Sequence, residues 1–315
     1  MDSGGIALVT DPSSRTRSGA VLAEAVRRLT GRDPVWLDAR DFAAGGRGRA
    51  RVDGGVLRLD VPGRVPAVSP AGVIVYAIPP DVRHAMEGFQ QSLRESGAVC
   101  LGTDTQAWRT ASDKALTVEA FARHGVPQMP TLCMDRPRPE EAIGAFVRLG
   151  GDVWARPALG SRGRDVFHLT AVEHVRTAVA RYEASGARWL MAADAGNFAD
   201  NGLRHQYRAV ILEGEVIWAA EYVQSLPDAP CNLARGGVST VLGPGRLPAH
   251  LRPLAVAATA SMGLPFAGVD LAAENGGVVF EANLHPGLMS DGALEGIAVP
   301  YVQAHLNRLR ARGLY

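Results

Sequence analysis

The chain has 315 residues, 47% of them hydrophobic, and its 33 Lys and Arg against 32 Asp and Glu leave a formal net charge of +1. That length calls for two or three lobes with cores of their own, and that charge argues against nucleic acid or an anionic membrane as the main partner. Arginine supplies every basic residue but one, and the exception is Lys114.

Cys100, Cys133 and Cys231 are widely separated, lack metal-type spacing and fit a reducing, cytoplasmic setting. The N-terminus shows no charged and then apolar leader. Residues 254–273 carry no basic side chain, but Pro265 breaks them and Asp270 charges them, so no membrane span is expected there.

Residues 5–10 (GIALVT) read as a buried strand, followed by a polar turn and an apolar-periodic helix near 18–29. The turn lacks G-x-G-x-x-G, so nothing supports a dinucleotide site, and Arg15 and Arg17 read first as solvated loop arginines. Residues 35–38 form a second strand. The glycine-rich run 45–51 reads as mobile, and 52–61 as a small hairpin turning at Asp53-Gly54-Gly55. A strand at 73–78, a helix after Pro80 and a segment at 98–102 complete an α/β lobe that ends near residue 105.

Thr110 or Ser112 can cap the next helix, with Asp113 and Lys114 in its first turn, Leu116, Ala120 and Phe121 on its apolar face and Gly125 as its stop. A cation in a first turn opposes the helix dipole. The single lysine therefore sits where local physics disfavours it, which suits an anionic ligand or a snorkelling surface side chain.

A strand at 130–134 and a helix at 139–149 lead to VWARPALGSRGRDVFHL, two strands joined by a loop. Gly160, Ser161 and Gly163 there let backbone amides approach phosphate oxygens, although the G-K-[ST] of a Walker loop is missing. Arg156 adds a cation at the end of the first strand. Thr170 with Glu173 reads as a capping box for a helix reaching 184.

After a strand at 188–193, residues 205–223 read as a hairpin turning at Glu213-Gly214. Alternation puts Gln206, Arg208 and Val210 on one face, so Arg208 either enters a cleft or pairs with a cross-strand acid such as Glu221. Residues 225–245 lack periodicity, and a loop that long is usually functional. Helices at 248–262 and 301–312 flank the most informative stretch.

That stretch is 268–287, GVDLAAENGGVVFEANLHPG. Asn275-Gly276 suits a type I′ turn, which needs positive φ at both positions. Counting outward from Glu274 and Gly277 sets Leu271 opposite Phe280 and Asp270 opposite Glu281. Asp270, Glu281 and Asn283 then share one face, with Val269, Leu271, Phe280 and Ala282 on the other. Facing acids destabilise a ladder unless positive charge lies between them. Hard oxygen donors without cysteine suit magnesium or manganese rather than zinc. A solvated acidic face, or a carboxyl pair sharing one proton, is the alternative.

In order, the chain offers S-D-K on a helix, Arg156 beside a glycine loop, an arginine on a hairpin, N-L-x-R-G-G in a loop, and D-x10-E-x-N. Over residues 100–290 this succession resembles the ATP-grasp superfamily, nearest its carboxylate-amine ligases of the ribosomal-protein glutamyl ligase type. The resemblance implies an ATP-grasp fold of α/β and α+β parts. An α/β pre-ATP-grasp lobe (1–105) would precede a central subdomain with the glycine loop (106–187) and a C-terminal subdomain with the acidic hairpin (188–315), the last two clasping ATP.

Position by position, Lys114 matches a phosphate-contacting lysine, Arg156 stands where a second lysine is usual, and Gly160, Ser161 and Gly163 match the loop that closes over the phosphates. Ala192 and Ala193 occupy a hinge that usually carries Gln-Glu, leaving backbone groups for the adenine edge, with Asp194 in reach of the ribose. Arg208 matches the arginine that steadies the transferring phosphoryl group or the tetrahedral intermediate. Asn232 and Arg235-Gly236-Gly237 match the loop beside the reacting carboxylate, and Asp270, Glu281 and Asn283 match the magnesium ligands. Gln206 departs from the acidic residue usual two before the arginine.

The resemblance thus implies an ADP-forming ligase that joins a carboxylate to an amine through an acyl phosphate, on an amino acid or short peptide. Its cofactors would be ATP and Mg²⁺, with Mn²⁺ as a substitute, and it leaves room for a homo-oligomer. Arg156 and the Ala-Ala hinge also fit a nucleotide-binding, regulatory homologue without ligase chemistry. A glycosidase built on Asp270 and Glu281 fits poorly, with few aromatics for a sugar subsite.

Overall fold

Strand alternation and turn chemistry account for most elements of the computed structural model, which describes residues 5–63, 65–161 and 163–315. Residues 1–4, part of the leader-free reading, lie outside the described residues. The chain opens with β1 (Ile6–Thr10), buried throughout, then α1 (Ser18–Thr30) and β2 (Val35–Asp38). β3 (Arg49–Asp53) and β4 (Val56–Asp60) form a hairpin of their own, turning at Gly54 and Gly55 with φ of 56° and 82°. Its first strand begins inside the run read as mobile. That run is held closely enough that a Cβ on Gly46 would stand 2.3 Å from the Asp41 carbonyl oxygen.

β5 (Gly72–Tyr76) completes a parallel sheet ordered β2-β1-β5. α2 (Pro80–Arg83), α3 (Glu87–Glu95) and α4 (Thr105–Ser112) follow. The segment at 98–102 contributes a single bridge from Val99 to Gly72 instead of a strand.

The chain divides into two compact units, 1–109 with 285–315, and 110–284. The sequence boundary of 188–315 therefore runs past the second unit, which ends at Leu284.

Within that unit α5 (Lys114–Arg123) is capped by Asp113, whose side chain accepts from the Ala115 N–H. Thr110 and Ser112 do not cap it because they belong to the end of α4. β6 (Thr131–Met134), α6 (Pro139–Arg148), β7 (Val153–Pro157), β8 (Phe167–Leu169), α7 (Val172–Ser185) and β9 (Trp189–Ala193) follow in sequence. Their antiparallel sheet is ordered β6-β9-β7-β8, and Phe146, Leu169, Tyr182, Trp189 and Met191 pack into one core with both helices. The expected capping box is absent: α7 starts after Ala171, which makes no side-chain cap, while the Thr170 N–H donates to His174 Nδ1 at 3.3 Å.

β10 (Arg204–Leu212) and β11 (Glu215–Gln224) turn at Glu213 and Gly214, whose φ values are 51° and 87°. β12 (Val238–Leu242), α8 (Leu251–Ser261), β13 (Phe266–Ala272) and β14 (Val278–Asn283) complete a five-stranded antiparallel sheet ordered β12-β11-β10-β13-β14. β12 lies in the stretch read as loop. It is a mostly exposed edge strand with no apolar face, so it carries no period to detect. The chain then returns to the first unit with α9 (Val299–Ala311). Among the described residues no helix is long and apolar enough to cross a membrane.

Candidate functional site

The acidic hairpin begins as its sequence predicts. Asn275 and Gly276 have φ of 56° and 77°, and the Gly277 N–H donates to Glu274 O at 3.0 Å. The register beyond departs by one residue, since Leu271 pairs with Val279 and Ala272 with Val278. A bulge at Phe280 takes up the slip, so Asp270 faces Glu281 after all. The same bulge overturns the expected side for Phe280, which joins Met129, Ala195, Ala272 and Val278 in an apolar cluster.

Asn283 Nδ2 donates to Glu281 Oε1 at 3.0 Å and lies 3.4 Å from Asp270 Oδ2, so the three predicted oxygen-bearing residues converge. Arg208 stands directly across from Asp270 on β10 and donates Nε and an NH2 to its two oxygens, both at 2.6 Å. Glu221 is not its partner, because it pairs across from Tyr207. Arg156, near the end of β7, donates to Phe280 O at 3.0 Å and stands 3.7 Å from Glu281 Oε2. Lys114 Nζ, at the start of α5, lies 3.9 Å from that oxygen and donates to Gly160 O at 2.9 Å.

Among the described residues, Lys114, Arg156 and Arg208 against Asp270 and Glu281 leave this cluster one positive charge in excess. Burial opposes ionisation of Glu281, but Lys114 and Arg156 outweigh it and hold the carboxyl down to about 2. Burial, helped by negative Glu281, pushes the Asp270 carboxyl up against the pull of Arg208. Burial lowers the Arg156 guanidinium despite the two acids beside it. It works the same way on Arg208, where Asp270 overcomes it and keeps that guanidinium above its ordinary value.

The donor set fits a hard divalent cation: two carboxylates and a rotatable amide, with no sulfur or imidazole among them. Glu281 Oε2 meets its two cations only at 3.7 and 3.9 Å, and Arg156 Nε is buried with no hydrogen-bond partner. A second group, Asp152, His168 and Asp194, places three ligand atoms within 4.8 Å of one another, but both Asp194 oxygens are held by Arg204 at 2.7 and 2.9 Å. A guanidinium in that place repels a metal ion.

Asp194, the residue expected near the ribose, is thus paired within the protein. Its side chain is 7% exposed, and Trp154 Nε1 and the Gly196 N–H add bonds at 3.2 and 3.3 Å. Burial disfavours its charge, yet these donors, Arg204 foremost, hold its carboxyl below the usual value. At the expected hinge the Ala193 N–H donates to Pro130 O at 2.9 Å, and Ala192 sits in the ladder between Thr131 and Trp154. Neither alanine stands free at an edge. Arg204, unremarked in the sequence, has the parity of Gln206 and Arg208, and that was the signal available for it.

The glycine loop and the long loop meet each other. Arg235 donates through Nε and an NH2 to Gly163 O at 3.0 and 2.8 Å, and a Cβ on Gly163 would stand 2.5 Å from Asn232 Nδ2. Gly163 also has φ of +64°, so both its backbone and its neighbour require glycine. Arg235 is thus bonded to backbone, while Asn232 Oδ1 is buried without a partner. Beside it Cys231 is pushed up to about 12 by burial, with the charges of Asp270 and Asp194 adding to the shift. Ser161 O accepts from the Arg164 N–H at 3.3 Å, closing the loop on itself.

The ATP-grasp description "RimK-like ATP-grasp domain" matches residues 111–300. A probable alpha-L-glutamate ligase of Parasynechococcus marenigrum (strain WH8102) is 25% identical over 210 residues, which cover 65% of this chain and 43% of that relative. The match therefore spans less than half of the relative's length. D-alanyl-alanine synthetase A from Vibrio cholerae O1 biovar eltor str. N16961 superposes with a TM-score of 0.68 at 16% identity, covering 98% of each chain. The ATP-grasp ligase PsnB, complexed with a phosphomimetic variant of its minimal precursor, Mg and ADP, gives 0.66 at 17% identity, covering 98% of this chain and 99% of that one. These likenesses establish the ATP-grasp fold, and since the family match takes in more than half of the sequence, the chain belongs to the RimK-like ATP-grasp family.

Proposed function

We propose that the protein is an ATP-dependent carboxylate-amine ligase. A substrate carboxylate oxygen attacks the γ-phosphorus, ADP leaves, and an amine nitrogen then attacks the acyl carbon as phosphate departs and the nitrogen gives up a proton. The observation that carries this reading is the cluster of Lys114, Arg156 and Arg208 around Asp270 and Glu281, with its one excess positive charge. Phosphoryl transfer needs positioning and charge compensation more than covalent help.

Lys114 and Arg156 would neutralise phosphate oxygens. Arg208, held in plane by Asp270, would face charge that grows in the transition state. Asp270, Glu281 and Asn283, the last through Oδ1 after amide rotation, would hold Mg²⁺. Magnesium, when bound, offsets charge on the β- and γ-oxygens. Gly160, Ser161, Gly163, Asn232 and Arg235 would cover the reacting groups. Relatives named glutamate and D-alanyl-alanine ligases support an amino acid or short peptide as substrate.

An ADP-release screen over pairs of amino acids and small carboxylic acids, with and without magnesium, tests this. Release that needs carboxylate, amine and magnesium together is the expected result. The alternative is a nucleotide-binding homologue without turnover, motivated by Arg156 and by Ala192-Ala193 at the hinge. Nucleotide binding without ADP release under every pairing would select it.

A further inference from the structure

The loop at 225–237 is tied down along its length. Gln224 accepts from the Leu226 N–H at 3.1 Å and donates to the carbonyls of Pro230 and Arg235 at 3.3 and 3.0 Å. Arg204 Nε donates to Pro227 O at 3.0 Å. At the next residue His168, on β8, sets Nδ1 against Asp228 Oδ1 at 2.7 Å and Nε2 against Asp152 Oδ1 at 2.6 Å.

Each ring nitrogen of His168 thus has a carboxylate oxygen within hydrogen-bond distance. The ring is 8% exposed and stacks on Trp154 at 4.6 Å and 10°, while Arg204 lies over the same indole at 5.1 Å. The other charged neighbour, Asp194, is neutralised by Arg204.

We propose that His168 is a positioning residue: through its Nδ1 bond it fastens Asp228, and with it the loop that carries Asn232 and Arg235, to the β7–β8 hairpin that carries the glycine loop. Together with the Arg235 bonds to Gly163, this ties the long loop to the hairpin near both of its ends. The importance of that placement for the reaction rests on the ligase reading; the clasp itself does not.

Amide hydrogen exchange across 225–237 in the protein without substrates tests it, comparing wild type, His168→Phe, which keeps the stack on Trp154, Asp228→Asn, and the double variant. Each single change is expected to speed exchange in the loop about fivefold, the effect of losing one hydrogen bond. The double variant should be no faster than either single one, β13 and β14 should be unaffected, and Asp228→Glu should keep wild-type protection. With substrates, KM for the carboxylate or amine should rise by a similar factor while kcat and the KM for ATP hold. Unchanged loop exchange in both single variants, additive effects in the double one, or loop protection lost on adding EDTA would overturn the clasp. Wild type releasing no ADP with any substrate pair would instead count against the ligase reading, leaving the exchange result standing.

Discussion

Arg204 and Arg208 lie four residues apart on one face of β10, and each closes on an aspartate through two bonds, at 2.7 and 2.9 Å to Asp194 and at 2.6 Å twice to Asp270. Their surroundings differ. Arg204 is 3% exposed, lies 4.3 Å over Phe198, and has further bonds to Asn197 and Pro227 at 2.9 and 3.0 Å. Arg208 is 20% exposed, and its aspartate faces a second acid that meets two cations only at long range. A pair whose donors and acceptors are all matched maintains shape; the same pair set among unmatched charge has capacity left for a ligand.

Removing each arginine separates the two roles. Arg204→Ala leaves a buried carboxylate unpaired and is expected to cost about 3–5 kcal/mol of stability, read from urea unfolding. Unfolding midpoints equal to wild type would erase the contrast. Arg208→Ala or Asp270→Asn is expected to slow ADP release roughly a hundred- to a thousand-fold. Near-native turnover in either variant would take that residue out of the site.

Smaller effects refine the boundary between holding and reacting. Gly163→Ala forces a side chain into left-handed backbone and against Asn232, a strain of about 1–2 kcal/mol, expected to lower the unfolding temperature by a few degrees and kcat/KM about tenfold. A drop in the unfolding temperature with kcat/KM intact would make that glycine structural only.

His205 supplies a pH test away from the Asp270 pair. Its ring lies 2.8 Å from Glu221 and 2.9 Å from Glu274, and although burial disfavours its charge, these two acids raise its pKa above the ordinary value. Because the folded value is the higher one, this stabilisation is complete below an unfolded pKa of ~6.5 and is lost as pH rises through the folded value. His205→Gln should therefore lose about 1 kcal/mol at pH 6 and progressively less toward alkaline pH. A deficit that grows with pH would reverse the assignment.

Much of the site could be read along the chain. Two positive-φ residues at 275 and 276 announce a tight turn, and strand parity puts Asp270, Glu281 and Asn283 on one face. Lys114 stood out because a first-turn cation opposes the dipole, and its contacts with Gly160 and Glu281 answer that misfit. The slip at Leu271 and Ala272, and the bulge that cancels it, could not be read, since packing of Phe280 against Ala195 and Met129 depends on remote segments. The pairing of Asp194 was hidden for the same reason: its short segment holds no hint that an arginine ten residues later would bind both oxygens.

Local rules, then, were enough for turns and for most strand faces, because those depend on φ preferences and a two-residue period, whereas Asp270 meets Glu281 only because the bulge at Phe280 cancels the slip. Which cation each acid receives was settled by sheet order. β13 lies beside β10 and sets Arg208 against Asp270, while the chain leaving β9 brings Asp194 to Arg204. Short-range propensity says nothing about neighbours 62 residues apart, and Coulomb energy follows separation in space rather than along the chain.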